Sequence, residues 1–304
     1  MIRLANAPVS FGVFELTEGS EELPGPEQVL DAVAGAGYAG IDLGPLGFLG
    51  RGDVLRGRLR ERGLALAGGW VQLRLTDPDG LEEDLRVLDA ALTVFADALD
   101  AADGAPPPRP TLADAGSPAR AANPGAGRDR PELWLDDAGW DRLAEGLGRA
   151  TDRCRARGLE PTFHHHACTF VEAPHEIDRL LERTDVGLCL DTGHLLLGGG
   201  DAAVALKEWG DRINHIHLKD ARVEVLDGVV ADRAGMEAVW RRGAFCRLGE
   251  GDLDVGSFLD GLLATGYSGW IVVEQDRIPG PGDPPGRAEA DQRHNREALR
   301  RRGI

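Results

Sequence analysis

The sequence predicts a single α/β domain folded as a (β/α)8 TIM barrel. Three observations carry that expectation. Short apolar runs alternate with longer amphipathic stretches eight times along the chain. The 304 residues accommodate the about 250 that eight strand–helix units need. The turn after the first run, Pro8-Val9-Ser10-Phe11-Gly12, lacks the glycine fingerprint of the rival arrangement, a doubly wound open sheet. Strict alternation implies parallel strands, and eight units imply closure. The expected organisation is one domain over 1–304 with an irregular insertion at about 104–133.

The elements follow in order. Residues 2–8 form the first run, and a helical pattern covers 26–36 before Gly37. Gly40-Ile41-Asp42-Leu43 is the second strand. Residues 54–62 read as helix ended by Gly63, and 64–70 as the third strand, with Trp70 at its end. Asp77-Pro78-Asp79-Gly80 is a turn that caps a long helix from Leu81 to about Ala102, in which Leu85, Leu88, Ala91, Leu92 and Phe95 recur at helical spacing. Pro106 to Pro108 forbid helix, and 111–114 is the fourth strand. The Gly-, Pro-, Ala- and Arg-rich stretch 115–133 reads as an irregular loop.

In the second half, 137–157 is helix ended by Gly158 and 160–165 the fifth strand. Residues 174–183 form a helix with a first-turn proline, and 186–190 is strand six. Helix 202–209 and strand seven, 213–217, lead to a long connection over 220–255. Helix 257–264, strand eight at 270–274 and helix 287–301 complete the pattern.

Composition narrows the function. A formal net charge of −17 repels phosphate backbones and anionic lipid, so neither nucleic acid nor a membrane is an expected partner. The four cysteines, Cys154, Cys168, Cys189 and Cys246, form no CxxC pair, as suits reduced thiols in a cytoplasmic protein. The N-terminus lacks the basic start and apolar run of a signal peptide, and no apolar stretch approaches the roughly 20 residues of a membrane span. A homo-oligomer is compatible with such a barrel.

Metal-ligand chemistry recurs at the ends of the last four strands: Phe163-His164-His165-His166, Leu190-Asp191-Thr192-Gly193-His194, His215-Ile216-His217-Leu218-Lys219-Asp220 and Val273-Glu274-Gln275-Asp276. Strand C-terminal ends form the active face of a barrel. Alternation along a strand places His164 and His166 on one face and His165 on the other. One donor per strand gives His164, Asp191, His217 and Glu274, a mixed nitrogen–oxygen set for one divalent metal, Mn or Co before Zn, Fe or Mg.

Each motif also has a plainer reading. Asp191 would serve equally as a helix N-cap. Lys219 is an acid–base group or a surface ion pair. Trp70 is core packing before it is a wall for a sugar-like ring. Gly249-Glu250-Gly251-Asp252 is a loop over a ligand or an ordinary turn, and Cys168 and Cys189 are core residues or supports of the site.

These segments, together with Asn6-Ala7-Pro8-Val9-Ser10-Phe11-Gly12 and Gly269-Trp270-Ile271-Val272-Val273, resemble the xylose-isomerase-like barrel superfamily of sugar isomerases, epimerases and dehydratases. The inosose dehydratase branch is the closer likeness. The resemblance implies metal ligands Glu, Asp, His and Glu on strands five to eight. The last three map onto Asp191, His217 and Glu274. The first maps onto His164, with His166 as rival. Histidine at that place removes the carboxylate pair with which the related epimerases exchange protons. The resemblance therefore implies a lyase that dehydrates a keto-inositol or related keto-polyol through a metal-stabilised enolate. A sugar or sugar-phosphate isomerase or epimerase, and an inactive sugar-binding barrel, are the alternatives. His166, His194, His215 and Lys219 are the acid–base candidates, with base and acid not assigned among them.

Overall fold

The computed structural model describes residues 1–17, 23–99, 104–280 and 282–304. Eight strands close into a parallel barrel: β1 (Ile2–Asn6), β2 (Gly40–Asp42), β3 (Ala65–Leu73), β4 (Arg109–Asp114), β5 (Thr162–His164), β6 (Gly187–Asp191), β7 (Ile213–Leu218) and β8 (Gly269–Val273). They neighbour one another in chain order, and β1 pairs with β8 to seal the sheet. The expected barrel is the observed one. The strands are apolar on both sides because each is covered twice, by the barrel interior and by the outer helices.

The helices bury their apolar stripes against the sheet. In Pro78–Ala98, Leu81, Leu85, Leu88, Leu92 and Phe95 are buried at spacings of three and four. Fully burying each such side chain contributes about 1.5–3 kcal/mol. This helix starts at Pro78 with Asp77 at its N-cap, so the expected capping turn is its first turn. Its expected last positions, 100–102, lie outside the described residues.

Several boundaries differ for physical reasons. After β1 the chain enters a 3-10 turn, Pro8–Phe11, because Pro8 cannot continue the ladder. β3 runs on to Leu73, which puts Trp70 mid-strand. β5 stops at His164, since the His166 N–H turns away to donate to Val171 O. Thr192–Leu197 is a helix that the sequence reading did not place. The 220–255 connection folds into helices Val223–Ala231 and Met236–Arg241 and a two-residue antiparallel ribbon, Asp220–Ala221 with Phe245–Cys246.

The segment 115–133 is not an irregular loop. It forms two helical turns, Pro118–Ala121 and Ala126–Asp129, and a 3-10 turn, Pro131–Leu133. Arg120 organises it. Its fully buried guanidinium meets Glu176 Oε1 at 3.0 Å and Glu172 Oε2 at 3.2 Å. Glu172 also accepts the main-chain N–H groups of Gly125, Gly127 and Cys168, and Glu176 accepts those of Glu172 and Ala173. The network clamps 115–130 to the loop after β5, where Cys168 holds a left-handed φ of 69° that surrounding contacts must sustain.

Candidate active site

At the C-terminal mouth, β5 to β8 deliver His164, Asp191, His217 and Glu274 to one point. Register places them there. Asp191 pairs directly with His217 across β6 and β7, and Glu274, one residue past β8, donates its N–H to Leu218 O. His164 Nε2 lies 3.1 Å from Asp191 Oδ2 and 3.2 Å from His217 Nδ1. His217 Nδ1 lies 3.0 Å from Glu274 Oε2 and 3.8 Å from Asp191 Oδ2. Donors about 2.1 Å from a shared ion stand roughly 3.0–3.4 Å apart, so this spacing and donor chemistry fit one divalent cation. Cys189 lies against His164 and His217, and burial pushes its thiol up to about 11.

Asp191 serves two purposes at once. Its Oδ1 accepts the His194 N–H at 2.9 Å and caps the helix Thr192–Leu197, while Oδ2 faces the donor cluster. His165 accepts the Asp191 N–H through Nε2 at 3.2 Å and so ties the end of β5 to β6.

Lys219 is no surface residue. It is buried, and its ammonium lies 3.1 Å from Asp191 Oδ2, 2.9 Å from Glu274 Oε2 and 2.9 Å from Asp276 Oδ1. Burial disfavours the ammonium, but Asp191, Asp276 and Glu274 outweigh it and hold the lysine well above its usual range. Burial likewise disfavours the Asp191 and Glu274 carboxylates. Lys219 and the histidines overturn that penalty and keep both ionised. Asp276, from the Val273–Asp276 segment, joins the cluster although the sequence pattern alone does not single it out. Its signal was its place two residues beyond Glu274, on the same side.

His166 and His194 sit beside this cluster with ring centroids 3.7 Å apart. The loop, not strand alternation, returns His166 to the His164 side. Burial lowers both imidazoles well below their ordinary value and leaves them neutral at pH 7. The main chain of Ala167 gives them opposite tautomers. His166 Nδ1 lies 2.7 Å from Ala167 O, an acceptor only, so Nδ1 carries the proton and Nε2 a lone pair. His194 Nδ1 accepts the Ala167 N–H at 3.3 Å, so its proton is on Nε2, which lies 3.5 Å from Asp276 Oδ2.

Other expectations resolve differently. His215 lies two residues earlier on β7, beneath His217, where Asp42 is its neighbour. Trp70 is not core: it is partly exposed, and its ring stands edge-on to His164 and His166 at 5.1 and 5.2 Å. The Gly249–Asp252 stretch wraps a side chain rather than a ligand. Asp220 accepts the N–H groups of Gly249, Gly251 and Leu253, and a Cβ at Gly251 would collide with that carboxylate. Phe245, from the ribbon, was not foreseen. Its ring walls the site 5.0 Å from His194 and 5.4 Å from the Lys219 ammonium, and no pattern in a long connection marks it.

Fold and site together define a closed (β/α)8 barrel with a histidine–carboxylate cluster at its active face. The chain belongs to the xylose isomerase-like TIM barrel family, which it matches over residues 30–301. It is similar to the inosose dehydratase of Lacticaseibacillus casei, 33% identical over 93% of this chain and 92% of that one. It is also similar to the inosose dehydratase of Geobacillus kaustophilus (31%; 91% and 90%) and the rhizopine catabolism protein MocC of Rhizobium meliloti (32%; 93% and 84%). Among solved structures, the IolI protein with a bound zinc atom superposes with a TM-score of 0.67 at 14% identity (98% and 96%). D-allulose 3-epimerase of Methylomonas superposes with 0.68 at 15% identity (99% and 97%).

Proposed function

We propose that this protein is a divalent-metal-dependent hydro-lyase that dehydrates a keto-inositol or a closely related keto-polyol. The grouping of Asp191, His217 and Glu274 beside a buried lysine, with His164 against the first two, carries the reading, in a chain whose relatives named inosose dehydratase align with it nearly end to end. These four residues would hold the metal, Mn or Co before Zn, Fe or Mg, because a mixed imidazole–carboxylate set with room for substrate suits them. Bound there, it would supply a Lewis acid for the ketone oxygen and the adjacent enolate.

The chain's own groups supply the protons. His166 Nε2, an available lone pair on a neutral ring, takes the proton from the carbon next to the ketone. The carbon–oxygen bond one carbon further on then breaks, and the departing hydroxyl takes a proton from the Lys219 ammonium and leaves as water. The electron pair of the broken C–H bond becomes a C=C bond conjugated to the ketone. Once Asp191 and Glu274 are engaged elsewhere, Lys219 keeps only Asp276 as a carboxylate partner, and its proton becomes easier to give up. His194 Nε2–H is placed to donate to a substrate oxygen, and Trp70 and Phe245 wall the ring. His215 lies too deep to share these roles. Histidine in place of a strand-five carboxylate disfavours the two-carboxylate epimerisation expected of an isomerase.

We further infer one domain over 1–304, a cytoplasmic location, and a small-molecule substrate without nucleic-acid or membrane partners. The charge of −17 and four buried, unpaired thiols support this. No helix among the described residues is long and apolar enough to cross a membrane.

A panel of keto-inositols and ketoses with mass detection tests the reading. The expected product is lighter by one water. A product of unchanged mass would make the protein an isomerase or epimerase, and no turnover with any metal would leave a binding barrel. His217→Ala is expected to strip the metal and lower turnover about a thousandfold, the several kcal/mol that a Lewis acid contributes.

A further inference from the structure

Directly across the barrel from the donor cluster, β2 ends on a carboxylate with no role in the mechanism above. Asp42 is 4% exposed. The β2–β3 register shifts between Ile41 and Asp42, and irregularities of this kind re-aim a side chain next to a site. Here the side chain points to β7: Asp42 Oδ2 lies 3.6 Å from His217 Nε2. The other nitrogen of that ring, Nδ1, faces His164, Asp191 and Glu274. Asp42 Oδ1 and His217 Nε2 are both buried without a hydrogen-bond partner. A short rotation of either side chain joins them.

β3 makes room for this arrangement. Gly68 pairs with Asp42, and a Cβ there would stand 3.0 Å from Asp42 Oδ1 and 3.3 Å from His215 Nε2. Any larger residue would crowd the carboxylate away from the ring. A metal-binding imidazole commonly donates its second N–H to a carboxylate, which fixes the tautomer and makes the ligand nitrogen more basic.

We propose that Asp42 is a positioning residue for the metal site: it receives the Nε2–H of His217 and thereby keeps the Nδ1 lone pair turned to the cation. The inference rests on the metal-site reading above. It adds a member from the opposite half of the barrel, reaching the cation only through His217.

The test titrates Mn2+ and Co2+ against a chelating dye with metal-free wild type, Asp42→Asn and Asp42→Ala, alongside melting curves of the metal-free proteins. Asparagine keeps the volume and removes the charge. The expected result is metal binding about 10–100-fold weaker in both variants, metal-free melting temperatures close to wild type, and a changed Co2+ absorption spectrum. At saturating metal, turnover should recover to within about tenfold of wild type, since Asp42 only supports a ligand. Wild-type affinity in both variants would overturn the role of Asp42 while leaving the metal site standing. Loss of the cooperative melt in both would make Asp42 architectural and equally end the proposal. A wild type that binds neither cation would instead remove the site itself.

Discussion

Two buried ionic clusters sit in this barrel, and their contrast separates a salt bridge whose charges are fully partnered from one that leaves negative charge over. In the first, Arg120 faces Glu172 and Glu176, and five main-chain N–H groups close over the two carboxylates. Nearly every lone pair has a fixed donor, so nothing is left to bind. In the second, Lys219 faces Asp191, Glu274 and Asp276, and the described donors to those side chains include only one main-chain N–H, that of His194. One ammonium against three carboxylates leaves negative charge over, offset in part by His217, whose imidazole is held above its usual range beside Glu274, and such a site favours a divalent cation. Burial is equal in the two clusters; what differs is whether the negative charge is spoken for.

Substitutions at the two cations should therefore fail in different ways. Lys219→Met carries the largest expected effect. Turnover should fall about 10²–10⁴-fold, the worth of a positioned proton donor, while metal content holds, because the methionine removes a competing positive charge. Activity within tenfold of wild type would deny Lys219 its role. Arg120→Met should strand two buried carboxylates and cost about 3–5 kcal/mol of stability, read by denaturant unfolding. The loss should be the same with and without metal, whereas in wild type added Mn2+ should raise the melting temperature by mass action. A loss below 1 kcal/mol would show that the Arg120 clamp is not what holds the 115–130 segment. Trp70→Phe should have the smallest effect. KM should rise about 2–10-fold with kcat little changed, in line with the about 0.5–1.5 kcal/mol of an aromatic contact. A large fall in kcat would mean that the indole orients His164 or His166 rather than lining the pocket.

The same contrast explains what the sequence could and could not reveal. Eight apolar runs were legible because a strand buried on both faces must be apolar, and the donor at the end of each of β5 to β8 was legible because those runs break on a histidine or carboxylate. Asp191 shows why two readings of one motif need not compete, since Oδ1 caps the helix while Oδ2 stays free to face the proposed metal. Arg120 was invisible. In a stretch of Gly, Pro, Ala and Arg it resembles its exposed neighbours, and its carboxylate partners lie 52 and 56 residues away. Asp42 was overlooked for the same reason: its contact with His217 spans the barrel between non-adjacent strands, and local alternation carries no information across that distance. The short run at β5 also misled, because three consecutive histidines look like continuing strand while the His166 N–H already serves a turn.

Ala167 leaves the molecule with an unusual dependence. Its methyl group takes no part in any chemistry, yet its carbonyl and amide decide which of two like rings can accept a hydrogen and which can give one. Copying His166 and His194 onto another scaffold would transfer the rings without that division of labour. Proline at this position, having no amide hydrogen, would erase half of the instruction.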